Sequence, residues 1–86
     1  MTEIETPLRA YIAENILFTS DGFPYKDTDS FLENGIVDSM SVMELVMFSE
    51  KEFGVSIEDK EITPDNFDSV EKMAVFIRSK LSSDSH

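Results

Sequence analysis

The sequence predicts an all-α fold: a small four-helix bundle with three main helices, one short helix and a long first loop. Three observations predict it. Apolar residues fall on single helical faces in three separate segments. Two Thr-Pro pairs and two capping-box patterns, Ser30 with Glu33 and Asp68 with Glu71, stand where helices or turns would begin. No segment reads as a strand. With 86 residues the chain allows one domain, 1–86, whose last five residues, "SSDSH", form a polar tail.

The first helix starts with Thr6 as N-cap and Pro7 at the first helical position, where its missing N–H breaks no bond. Leu8, Tyr11, Ile12 and Ile16 then share one face. Gly22 and Pro24 in "TSDGFPYKD" end it. Residues 19–37 make a long connection anchored by Phe23, Phe31, Leu32, Ile36 and Val37. "SFLEN" supplies a single turn there, and Gly35 ends it in a left-handed conformation.

The second helix runs from Ser39 to Phe53 and closes at Gly54. Val42, Leu45, Val46, Ser49 and Phe53 form its core face, with Met40, Met43, Glu44, Met47 and Lys51 opposite. A short helix follows, capped by Thr63, with Pro64 at its first position and Phe67 near its end. The last helix begins with the Asp68–Glu71 capping box. Val70, Met73, Ala74, Ile77 and Leu81 make its stripe, and Arg78 and Lys80 lie in its last turn.

Composition excludes several function classes. There is no cysteine, so neither a disulfide framework nor a thiolate metal site can form. The net charge of −11 repels nucleic acid and anionic lipid, and favours encounter with basic partners. "MTEIETPLRA" has no basic region followed by an apolar run, and no apolar stretch approaches the roughly 20 residues that span a bilayer. A cytoplasmic domain is the expectation. The sole histidine is His86, in the tail, so no Ser-His or Cys-His pair forms in a packed site. An EF-hand loop started at Asp27 puts Phe31 and Leu32 where a ligand and a glycine belong, and the match fails. Looser divalent-ion binding by acidic clusters stays open.

One serine is left as a chemical handle. Ser39 follows Asp38 directly, at the start of the second helix, where unpaired N–H groups carry partial positive charge and favour a phosphate ester. The plain alternative is that Asp38 or Ser39 caps the helix.

"FLENGIVDSMSVMELVMFSEKEFGVSI" resembles the core segment of acyl carrier proteins. The matching residues are Phe31-Leu32, Gly35, Asp38-Ser39-Met40, Glu44-Leu45 and Glu52-Phe53. The likeness extends more weakly over the first helix, "ITPDNFD" and the last helix. It implies that Ser39 carries 4′-phosphopantetheine, attached from coenzyme A by a phosphopantetheinyl transferase, with Asp38 as the flanking motif residue. The thiol of that arm would hold an acyl or aminoacyl group as a thioester, and the chain would itself catalyse nothing. Further implied partners are an acyl- or aminoacyl-loading ligase and a downstream synthase or transferase, in fatty acid or specialised metabolite biosynthesis. The carrier would be a monomer.

The resemblance gives the methionines a purpose. Met40, Met43 and Met47 form a flexible, polarizable docking face beside Ser39, with Glu44 on that face and Glu50 at its edge to steer basic partners. The competing reading is that the long loop or the short helix covers them. Fatty-acid-type carriers usually place an acid where this chain has Ser41, and "GIVDSMS" is also similar to D-alanyl and free-standing aminoacyl or peptidyl carriers. Cargo is therefore open. So is a reading from another class, in which the chain is an unmodified acidic helical interaction module or a weak calcium binder.

Overall fold

The last helix is the element on which the others are assembled. The computed structural model describes residues 3–84, and of positions 39, 83 and 84 the backbone alone. It has four α-helices and no strands among the described residues: α1 (Glu5–Asn15), α2 (Ser39–Phe53), α3 (Pro64–Phe67) and α4 (Val70–Asp84), with a single 3₁₀ turn at Asp59–Glu61. The fold class is the one expected, a small helical bundle. α4 packs against α1, α2 and α3. Its stripe of Val70, Met73, Ala74 and Ile77 is fully or almost fully buried, as are Leu8 and Ile12 of α1 and Leu45 and Val46 of α2. Each large side chain buried there contributes roughly 1.5–3 kcal/mol. Arg78 ties α4 to the start of α1 through a two-pronged pair with Glu5 at 2.7 and 2.8 Å.

Several boundaries differ from the sequence reading, each for a tertiary reason. α1 begins at Glu5, not after Thr6, because Ile4 is fully buried and holds the chain against the core. Thr6 lies inside the first turn, where its N–H and hydroxyl both donate to Glu3 Oε1 at 3.1 Å. Pro7 still falls among the first four helical residues, whose N–H groups have no intrahelical partner. α1 ends well before Gly22. Phe18 takes a left-handed conformation at φ 54°, and the Thr19 N–H closes back onto the Ala13 carbonyl at 2.8 Å. Such a φ is strained for a bulky residue, and the Phe18 ring is left exposed.

The connection from α1 to α2 is pinned from outside. Arg9 grips Asp27 with two bonds of 2.6 and 2.7 Å, and the Asp27 carbonyl accepts the Glu71 N–H at 2.9 Å. Of the expected anchors, Phe31, Ile36 and Val37 are buried and Phe23 is half-buried, but Leu32 faces outward. In the turn at 31–35 the Glu33 N–H donates to Ser30 Oγ at 3.1 Å, and Gly35 is left-handed at φ 63° as expected.

The cap of α4 also moves. Ser69 Oγ accepts the Lys72 N–H at 3.1 Å, while Asp68 turns to Ser30 and Leu32 instead. Thr63 occupies the N-cap position of α3 but makes no side-chain bond there. α4 continues through Asp84, so Ser82 to Asp84 are helical rather than a tail, and Arg78 and Lys80 lie inside the helix, pairing with Glu5 and Glu61. Ser85 and His86 lie outside the described residues.

Candidate functional site

The start of α2 is set by what precedes it. The left-handed Gly35 reverses the chain, and Ile36 and Val37 then bury their side chains in the bundle. That anchor delivers Asp38 to the surface in extended conformation, at φ −112° and ψ −173°, and Ser39 becomes the first residue of the helix. The Asp38 carboxylate accepts the Ser41 N–H at 2.8 Å. This bond, first of all, holds the Asp38 carboxyl below the usual carboxylate range. Asp38 therefore makes the cap. The Ser39 side chain lies outside what the structure describes.

The far side of α2 is open. Met40 is 79 % exposed, Met47 67 % and Met43 46 %, and Glu44 is exposed among them. Neither the long loop nor the short helix covers Met40 or Met47. Glu50 is placed differently. It is half-buried, and its Oε2 accepts the Ile57 N–H at 2.9 Å, so this carboxylate also fastens the segment after α2.

An apolar groove of about 420 Å³ runs beside the Ser39 end of α2. Val37, Val42, Met43, Ile62 and Phe67 line it, with Leu32 and Asp68. The sequence places Leu32 among the core anchors, but it faces outward at this groove; no local pattern distinguishes a loop leucine that faces a groove from one that faces the core. A second, more open groove lies between α1 and α2, lined by Tyr11, Met47 and Phe48 with Glu44, Glu50 and Lys51. Tyr11 stacks on Phe48 at 4.2 Å between ring centres, and burial, then Glu44, pushes its phenol pKa up.

No protein-family model matches the sequence, and no curated protein matches it. The site must be read from its chemistry.

Asp68 is the residue that sequence reasoning misplaced most. It accepts the Ser30 hydroxyl at 2.6 Å and the Leu32 N–H at 3.0 Å, and its backbone carbonyl takes the Phe31 N–H at 2.6 Å. Burial pushes its carboxyl up, but the Ser30 and Leu32 bonds outweigh burial and leave it below its ordinary value. Asp68 thus positions the turn that leads into Gly35 and α2. Ser49, predicted on the core face, is fully buried, and its Oγ has no hydrogen-bond partner. Among the described residues, no group of three or more His, Cys, Asp or Glu side chains comes together to hold a metal ion, and no helix is long and apolar enough to cross a membrane.

Proposed function

We propose that the protein is an acyl-carrier-type protein, whose Ser39 carries 4′-phosphopantetheine and through it an acyl or aminoacyl thioester. The observation that carries this reading is the order of residues at the start of α2: the capping Asp38 is followed directly by a serine as the first residue of the helix. A phosphodiester at that position sits where backbone N–H groups and the helix dipole favour negative charge. The resemblance of the segment from Phe31 to Ile57 to carrier proteins supports phosphopantetheine as the group held by that phosphodiester.

In the transfer, the Ser39 hydroxyl oxygen would bond to the pantetheine-bearing phosphorus of coenzyme A. The adenosine bisphosphate half leaves, and the serine proton goes to a base of the transferase. Met40, Met43, Met47 and Glu44 then form the face that a transferase, a loading ligase and a downstream synthase or transferase engage in turn, with Glu50 at its edge. The exposure of the three methionines supports that reading. A cytoplasmic monomer fits the role.

The test is intact mass after incubation with coenzyme A, magnesium and a broad-specificity phosphopantetheinyl transferase. One phosphopantetheinyl group should be gained, mapping to Ser39, and Ser39→Ala should gain none. Attachment at Ser41 would overturn the assignment to Ser39, and no gain with a transferase active on a control carrier would favour the unmodified interaction module instead.

A further inference from the structure

All the sulfur in this chain is thioether: five methionines and no cysteine. Four of the five are described, and the fold sorts them sharply. Met73 is fully buried in the core, while Met40, Met43 and Met47 are 79, 46 and 67 % exposed on one face of α2. Their i, i+3 and i+7 spacing makes them neighbours on that face. The fold does not rest on them, since α2 meets the core through Leu45, Val46 and Ser49. With no cysteine in the chain, a mild oxidant meets these three sulfurs before any other soft side chain among the described residues.

We propose that Met40, Met43 and Met47 are a reversible oxidation site, at which a peroxide-class oxidant turns the outer face of α2 from apolar to polar while the bundle stays folded. A lone pair on Sδ attacks one peroxide oxygen. The S–O bond forms as the O–O bond breaks, and after proton transfer water leaves. Sulfur loses two electrons to the peroxide, and the product is the sulfoxide. Methionine sulfoxide reductases, one for each sulfoxide epimer, reverse the step, each using two thiols that leave as a disulfide, with water as by-product.

The sites differ in what the new S=O dipole meets. At Met40 and Met47 water solvates it, so oxidation changes the surface and leaves the core alone. Met43 borders the groove next to Val42, and its sulfoxide would place a polar group on an apolar rim. At Met73 the dipole would be buried among hydrocarbon with no donor, which disfavours both access and product. The modification goes beyond the carrier reading and does not rest on it.

The experiment treats the full chain with graded hydrogen peroxide and follows it by peptide mass mapping, thermal melting and retention on a hydrophobic-interaction column. Met40 and Met47 should gain one oxygen each first and Met43 next, with Met73 unmodified when Met40 is fully converted. The triply oxidised chain should melt as the untreated chain does, elute earlier, and return to its original retention after treatment with the reductases for both sulfoxide epimers. Oxidation of Met73 in step with Met40, a large fall in Tm on modification of the other three, or unchanged retention would each overturn the proposal. A variant with Met40→Leu, Met43→Leu and Met47→Leu should keep the original retention under peroxide. Earlier elution of that variant would assign the polarity change to another part of the chain.

Discussion

The hydroxyl of Ser30 donates to the carboxylate of Asp68 at 2.6 Å, joining residues 38 apart in sequence. With the Leu32 N–H on the other carboxylate oxygen, one side chain holds the turn that launches α2. Asp68→Ala should cost on the order of 1.5–3 kcal/mol, the range for a hydrogen bond to a charged group, and Ser30→Ala, which removes only one of the two bonds to that carboxylate, no more than Asp68→Ala. Chemical denaturation measures both. Hydrogen exchange should quicken at Leu32 in the Asp68 variant. A neutral Asp68→Ala would mean that Phe31 burial alone positions the turn.

The Glu5–Arg78 pair predicts a specific acid sensitivity. The Arg78 guanidinium, above all, lowers the Glu5 carboxyl from 4.5 to about 2. A folded-state pKa below the unfolded one adds stability that is fully present above about 4.5 and is lost as pH falls toward about 2. Arg78→Gln should therefore lower Tm at neutral pH, and the gap from the parent should close as pH falls through that window. A gap independent of pH would show that Arg78 acts through packing alone.

Two substitutions on α2 separate its faces. Leu45 is fully buried, so Leu45→Ala should cost about 2–5 kcal/mol. Met47 is mostly exposed, so Met47→Ala should change stability by no more than about 0.5 kcal/mol. In binding to a phosphopantetheinyl transferase, Met47→Ala should raise the dissociation rate. Glu44→Gln should lower the association rate and its salt dependence. A large loss of stability in Met47→Ala would place that side chain in the core.

Ser49 should be better replaced. Its buried Oγ has no partner, and an unpaired buried hydroxyl carries an uncompensated desolvation cost. Ser49→Ala removes that cost and gains helix propensity, so stability should rise by about 1 kcal/mol. A destabilised Ser49→Ala would reveal a bonded water beside that oxygen.

Salt tests the acidic surface. At −11 the folded chain repels itself more than the extended chain does. Adding sodium chloride or millimolar magnesium should raise Tm by screening that repulsion. A falling Tm would mean that the Arg9–Asp27, Arg78–Glu5 and Lys80–Glu61 pairs dominate.

Much of this architecture is legible in the sequence wherever a local rule and burial agree. α2 runs from Ser39 to Phe53 as its periodicity and Gly54 dictate, because propensity, pattern and cap coincide there. α1 and α4 start elsewhere than their motifs predict, because tertiary contacts decide. Ile4 outweighs the Thr6–Pro7 signature by filling the core. Asp68 is drawn away to Ser30, and its neighbour Ser69 takes the cap. At the site, the exposed methionines follow from helical spacing alone. The groove does not, since it is assembled from Leu32, Met43 and Ile62, residues that no sequence pattern brings together.

Tyr11 on Phe48 gives the molecule an optical reporter of its own. The chain has no tryptophan and two tyrosines, so ultraviolet emission comes from Tyr11 and Tyr25 alone. Tyr11 belongs to α1 and its stacking partner to α2, on the helix that begins with Ser39. Any event that shifts α2 against α1 changes the surroundings of that ring. Replacing Tyr25 with phenylalanine would leave a single tyrosine at this joint, so that engagement of α2 by a partner could be followed in real time without an attached dye.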